Sequence, residues 1–309
     1  MPFVILLAAL ALAVLLLVPA SFRVAFYNPI PRREDPRHIP SAEQYQRHKD
    51  RILELIDAFD AIPYEALSIR SQDGLRLFGR YYHVRDGAPI LIEVHGYHGT
   101  ALRDFCGGNL LARAAGYNTL VIDQRAHGKS EGKIISLGIN EREDCLLWAE
   151  YAAGRWPGVP LILSGVSMGA ATVLMASSLP LPESVRGIMA DCPYSAPDKI
   201  IRKVCGDKGV SGRFFGALIA LSGRVFGRFD IRSASPLEAV KQARVPILLI
   251  HGEDDRYVPC SMSAEIAAAC ASPVRLETFP HAGHGLSYME DEARYARIFS
   301  EFMAELKLE

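Results

Sequence analysis

The sequence predicts an α/β protein built on a mostly parallel, eight-stranded sheet with helices on both faces. Two observations carry that reading. Short apolar runs alternate with helix-length segments along most of the chain, and clusters of Gly, Ser, His and Asp stand directly where those runs end. Strands separated by helices pair in parallel, and such sheets carry their chemistry in loops at the strands' carboxyl ends. The 309 residues, half of them hydrophobic, suffice for a large core. With 34 basic and 35 acidic residues the net charge is −1, which leaves no electrostatic footprint for nucleic acid and no acidic tail. Six scattered cysteines lack CxxC or zinc spacing and read as packed free thiols. Neither a metal nor a cofactor is expected.

In chain order, Met1 to Phe22 carries no charged side chain. An apolar stretch of about 20 residues can span a bilayer, whereas a cleavable signal has a shorter apolar region. The reading is a transmembrane anchor over 1–22. Arg23, Arg32, Arg33 and Arg37 follow it, which places the downstream domain in the cytoplasm of a single-pass membrane protein. The rival is a signal cut after Val18-Pro19-Ala20, giving a secreted or periplasmic protein. The lack of a basic residue before the run counts against that rival. Residues 28–40 are rich in Pro and charge. Ser41 and Gln44 form a capping-box pattern, and Ile52, Leu55, Ile56 and Phe59 recur at helical spacing. Residues 23–65 therefore read as linker plus an amphipathic helix over 42–60.

The main domain is expected over 66–309. Leu67–Arg70 and Arg76–Tyr82, joined at Asp73-Gly74, form a hairpin pattern. Six further strands are expected at Ile90–Val94, Thr119–Asp123, Leu161–Ser164, Gly187–Ala190, Pro246–Ile250 and Val274–Phe279, with helices near 101–115, 140–153, 169–178, 261–270 and 291–307. The interval of about 194–236 breaks the alternation and reads as an insertion. It sets Lys199, Arg202, Lys203, Lys208, Arg213, Arg224, Arg228 and Arg232 around the apolar stretch Phe214–Leu221.

The strand over 161–164 runs into Gly165-Val166-Ser167-Met168-Gly169 and then a small-residue helix. This is G-x-S-x-G between strand and helix, where a sharp turn holds the serine oxygen above the sheet edge beside a helix N-terminus. Ser167 is the candidate nucleophile. A serine hydroxyl needs a base and an acid, and both stand downstream, each after its own strand. His251-Gly252-Glu253-Asp254-Asp255 offers acids, and Pro280-His281-Ala282-Gly283-His284-Gly285 offers two imidazoles. Asp191, ending the strand before them, is a second possible acid, read as holding the loop beneath the nucleophile. Upstream, Ile90–Val94 ends in His95-Gly96-Tyr97-His98-Gly99, where His95 reads as a loop brace.

These motifs, with Asp123-Gln124-Arg125-Ala126-His127-Gly128-Lys129-Ser130, resemble the α/β-hydrolase superfamily in order and strand context over roughly residues 66–309. The resemblance implies an α/β-hydrolase fold in which the insertion is a helical cap over the active-site mouth. Its HGxxDxxVP pattern selects Asp255 as the acid, and its G-H-G ending selects His284 as the base, leaving His281 a loop hydrogen bond. Its HG loop implies an oxyanion hole from the backbone N–H groups of Tyr97 and Met168. The D-x-R-x-x-G-x-S loop implies a bracing role for Asp123 and Arg125, and His127 precedes the nucleophile and so breaks the expected order. The implied activity is a serine hydrolase that cleaves a small acyl ester through an acyl-enzyme, carboxylesterase- or lipase-like, with no cofactor. A serine peptidase or amidase of the same fold is the alternative, and a non-catalytic binding protein is the alternative of another class. Beside an anchor the basic, apolar cap would face anionic lipid; otherwise it is an ordinary helical cap with its charges in water.

Overall fold

A computed structural model describes residues 15–29 and 34–308. Eight strands form one sheet: β1 (Glu65–Arg70), β2 (Arg76–Tyr82), β3 (Ile90–Val94), β4 (Asn118–Asp123), β5 (Leu161–Val166), β6 (Val185–Asp191), β7 (Ile247–Gly252) and β8 (Val274–Phe279). Their spatial order is β1-β2-β4-β3-β5-β6-β7-β8. The hairpin pair and the β2–β4 contact are antiparallel, and every later pairing is parallel. β3, β4 and β7 are buried along their whole length, which is why they read as mostly apolar runs, interrupted in β3 by Glu93, rather than as alternating ones. β8, at the sheet edge, is half-exposed instead. It carries Arg275 and Glu277, charged positions of the kind that discourage pairing with another chain.

The described helices are α1 (15–25), α2 (Glu43–Gln46), α3 (Lys49–Asp60), α4 (Ala101–Ala114), α5 (Glu141–Arg155), α6 (Met168–Ala176), α7 (Pro197–Asp207), α8 (Gly212–Ser222), α9 (Pro236–Ala239), α10 (Ser261–Ala269), α11 (Ser287–Glu290) and α12 (Glu292–Glu305). One face of the sheet buries Trp148 of α5, Val173 and Leu174 of α6 and Ile266 of α10 against Ile92, Leu163 and Leu249. The other face takes α4 and α12, with Phe299 and Phe302 packed among Leu91, Ile162 and Leu248. α3 joins that second face through Ile52, Ile56 and Phe59, the positions whose spacing marked the helix, against Tyr82, Phe105 and Val121.

The expected helix over 42–60 is broken between α2 and α3, and no side-chain hydrogen bond caps α2. Its first-turn side chains serve other contacts. Gln46 Nε2 donates to the Pro40 carbonyl at 2.8 Å, and the Tyr45 hydroxyl donates to the His284 carbonyl at 2.9 Å. The insertion folds as α7, α8 and a π-helical turn over Gly223–Gly227. Its apolar residues Ile200, Ile201, Ala220, Phe229 and Ile231 join Met168, Ala171 and Met175 in one cluster. Part of its basic character is answered within the chain, by Arg202–Asp198, Lys203–Asp207, Lys199–Glu265 and Arg224–Asp230 pairs.

The expected membrane anchor is overturned, and the single-pass membrane localisation with it. Among the described residues no helix is long and apolar enough to cross a membrane. Residues 1–14 of the predicted span lie outside the described residues. The remainder continues as helix past position 22, through Arg23, and packs one side, with Val18 and Phe22, on the protein while Leu15, Leu16 and Val24 stay exposed. Val18 and Phe26 are buried. Phe22 meets Phe226 with ring centroids 5.6 Å apart, and Phe26 meets Phe229 edge-on at 5.0 Å. The apolar residues at the end of the run are thus satisfied by the cap. Tyr27 then bridges to Ile134, and the Asn28 side chain donates to the Ala126 carbonyl at 2.9 Å.

Candidate active site

β5 delivers the candidate nucleophile. Ser167 sits between β5 and α6 with φ 57° and ψ −114°, a conformation that L side chains seldom adopt and that costs on the order of 1–3 kcal/mol. Its backbone is locked by a hydrogen bond from its N–H to the Asp191 carbonyl at 2.8 Å. The flanking glycines are sterically required. A Cβ on Gly169 would fall on the carbonyl of Val94 in β3, and one on Gly165 would fall on the Gly169 backbone. β3, β5 and α6 can therefore approach closely enough to hold the serine only because both positions lack a side chain.

The loops after β7 and β8 bring the other two residues to the same edge. His284 Nε2 lies 2.8 Å from Ser167 Oγ, and His284 Nδ1 lies 2.6 Å from Asp255 Oδ2. Asp255 Oδ1 accepts from the backbone N–H groups of Tyr257 and Val258, each at 2.8 Å. Burial opposes ionisation of this carboxyl. The charge of a protonated His284 and hydrogen bonds from His251, His284 and the Val258 N–H outweigh it and hold the group well below the usual carboxylate range. His251 is itself fixed by Ser263 Oγ at 2.7 Å and the Val258 carbonyl at 2.9 Å.

The predicted oxyanion loop follows β3. Parallel pairing of Val94 with Gly165 sets Gly96 so close that a Cβ there would lie 3.3 Å from Ser167 Cβ, with Tyr97 next in the chain. Met168, on the other side of the serine, is fully buried at the start of α6. The loop is anchored from three sides. Asp104 Oδ2 accepts from the Gly96 N–H at 2.8 Å, the Tyr97 hydroxyl donates to the Ala25 carbonyl at 3.0 Å, and His95 is clamped by Gln124. Burial lowers the His95 pKa and favours its neutral ring.

The remaining candidates fall away from the serine. His281 is 80% exposed and faces Asp254. His127 is buried with Nδ1 2.9 Å from the Arg125 carbonyl, edge-on to His95. Arg125 forks onto Asp144 at 2.6 and 2.8 Å and reaches Asp73, while Asp123 pairs with Arg80 at 2.8 Å. This loop braces the strands beneath the site. Among the described residues, Cys192, Asp255 and His284 offer metal-ligand atoms within 4.8 Å of one another, but two of these three already face each other across a hydrogen bond.

Four contributors escape a reading of the motifs. Tyr45 holds the His284 loop from outside, and nothing in its local sequence signals that reach. Asp104 lies in the first turn of α4, where an acid is ordinary. His251 stands inside the recognisable motif but reads there as a strand end. Glu93 is the visible exception, a charge in the middle of an apolar strand, and it lies in the wall of a cavity that also touches Ser167 and His284.

A family model described as the alpha/beta hydrolase family matches residues 94–298. Among curated proteins, the uncharacterised protein YqkD of Bacillus subtilis is 25% identical over 260 residues, 84% of this chain and 85% of its own. Among solved structures, the Pyrococcus furiosus esterase Pf2001 superposes with a TM-score of 0.65 at 21% identity, over 79% of this chain and 92% of that one. Est1E from Butyrivibrio proteoclasticus, solved with ferulic acid bound, gives a TM-score of 0.61 at 19% identity, over 79% and 100%. The structural likenesses, at such low identity, concern the fold. The family match covers more than half of the sequence and takes in the loops after β3, β5, β7 and β8, and on that ground the chain belongs to the alpha/beta hydrolase family.

Proposed function

We propose that the chain is a serine hydrolase of small carboxylic esters, with Ser167 as nucleophile, His284 as general base and Asp255 as the acid that orients it. The observation that carries this reading is the unbroken relay of 2.8 and 2.6 Å from Ser167 Oγ through the His284 ring to Asp255. A carboxylate held ionised against Nδ1 keeps the proton there and leaves Nε2 free to accept. The esterase name of Pf2001 agrees with it at the level of fold.

The steps balance as follows. Ser167 Oγ bonds to the ester carbonyl carbon while its proton passes to His284 Nε2. The oxyanion so formed is held by the N–H groups of Tyr97 and Met168, each such donor contributing about 2.7–4 kcal/mol. Collapse breaks the bond to the alcohol oxygen, which leaves with the His284 proton. Water then gives its proton to the same nitrogen and attacks the acyl carbon, and the bond to Ser167 Oγ breaks as that oxygen takes the proton from His284, releasing the acid.

A fluorophosphonate probe tests the reading directly. It should label the wild type and leave Ser167→Ala unlabelled, while a panel of short-chain nitrophenyl esters is turned over by the first alone. Labelling with turnover of peptides or amides but no ester would make the chain a peptidase or amidase. Absence of labelling and turnover in folded wild type would make it a binding protein.

A further inference from the structure

The cavity beside Ser167 and His284 does not end at them. It holds about 160 Å³ and continues between the sheet and helices α4, α11 and α12 as far as Glu93. Strand register explains its polar floor. Glu93 pairs with Ser164, and Asp191 pairs with Val166. Because side chains two apart share a face, all four stand on the same side of the sheet. At about 3.3 Å per residue, the level of Glu93 and Ser164 lies about 10 Å below Ser167. A void of about 150 Å³ accommodates a benzene ring, so this one suits a short chain or a single ring.

Two carboxyl groups that the proposed ester chemistry does not use line this cavity. Both are more than nine-tenths buried, at 1% exposure for Glu93 and 7% for Asp191. Asn109 Nδ2 donates to Glu93 Oε2 at 2.7 Å, whereas Asp191 Oδ1 has no partner at hydrogen-bond distance among the described residues, although the Cys192 thiol and Ser287 hydroxyl stand near that carboxyl. A buried polar atom without a partner is costly, and this one lines a cavity shared with the nucleophile. We propose that the cavity is the acyl subsite, and that Glu93 at its far end, with Asp191 on the wall nearer Ser167, selects acyl chains with a terminal hydrogen-bond donor, a hydroxyl or an ammonium. The assignment of the acyl side rests on the esterase reading above; the ligand preference does not. Burial pushes the Glu93 carboxyl up to about 8 and that of Asp191 up to about 7. Near neutral pH Glu93 is largely protonated and Asp191 about half so; either accepts from a hydroxyl, and an ammonium would favour the ionised form.

Isothermal titration calorimetry of the full chain with hexanoate, ω-hydroxyhexanoate and ω-aminohexanoate tests the preference without turnover. At least one donor-bearing acid should bind about tenfold more tightly than hexanoate, about 1.4 kcal/mol, and which of the two does so identifies the donor. Equal or tighter binding of hexanoate overturns the proposal. In folded Glu93→Met and Asp191→Leu variants the preference should fall toward one, and its persistence in both would also overturn it. Should these variants fail to fold, the wild-type series decides alone. Fluorophosphonate labelling is run in parallel. Labelled Ser167 without donor preference refutes the subsite alone, whereas donor preference in a protein that neither labels nor turns over ester refutes the esterase reading and leaves the ligand site standing.

Discussion

Glu93 gives the sharpest physical test because its ionisation is tied to folding. Buried in β3 between neighbouring strands, its carboxyl rises from the ordinary value of 4.5 to about 8, burial outweighing the hydrogen bond from Asn109. The folded chain therefore holds a proton that the unfolded chain releases. Wherever the native state binds more protons, stability falls as pH rises. The stabilising effect is complete below about pH 4.5 and is lost as pH climbs toward 8. Between pH 5 and 7 the slope from this one group is a little over 1 kcal/mol per pH unit, about 2–3 kcal/mol over the interval. Asp191, raised to about 7, acts with the same sign. His95, lowered by burial, acts with the opposite sign at the acid end. Comparison with Glu93→Gln removes both, since they are common to the two proteins. Urea unfolding at pH 5, 6 and 7 should show the wild type losing stability relative to Glu93→Gln by that amount. Parallel pH profiles would refute the burial argument for Glu93.

Three other substitutions follow from the geometry. Asp255→Asn removes the charge against His284 Nδ1 and should cut kcat by about 10⁴-fold, measured on whichever nitrophenyl ester the wild type turns over best, with little change in thermal midpoint. Tyr45→Phe deletes the hydrogen bond to the His284 carbonyl, about 1 kcal/mol. It should lower kcat/KM about fivefold while leaving α2 in place by circular dichroism. Gly169→Ala sets a methyl group on the Val94 carbonyl and should destabilise the fold by about 1–3 kcal/mol or more. A variant whose thermal midpoint and Ser167 labelling match the wild type would show that β3 and α6 can separate at no cost.

Much of this architecture is legible because its determinants are local. The mostly apolar runs of β3, β4 and β7 announce strands buried on both faces. Gly165 and Gly169 announce a turn in which two backbones nearly touch. The relay of Ser167, Asp255 and His284 was nominated by motifs that each end a strand, and parallel pairing brings strand ends to one edge. What escapes such reading depends on partners distant in sequence. Phe22 and Phe26 are as apolar as a membrane span requires, and only the presence of Phe226 and Phe229 beside them shows where that surface is satisfied. Ser41 and Gln44 spell a cap that does not form, because the segment is held by Pro40 and the His284 loop instead. Local propensity lost to docking in both cases.

The described residues between 15 and 46 thereby acquire a role that composition alone hides. The segment touches the insertion and the loops after β3, β4 and β8. The Ala25 carbonyl receives the Tyr97 hydroxyl, Phe26 packs into the cap beside Phe229, and Asn28 reaches the loop after β4. The His38 carbonyl receives Arg103 at 3.0 Å, and Tyr45 holds the His284 loop, while Ile39 and Pro40 form part of the cavity wall. None of these bonds exceeds the usual contribution of about 0.5–1.5 kcal/mol. They act on loops that also meet one another directly, as His95 and Gln124 do. A strap that ties those loops from outside limits their independent motion, and the geometry of 2.8 and 2.6 Å at the centre tolerates little of it, since misplacement by about 1 Å can cost about 10²-fold in rate.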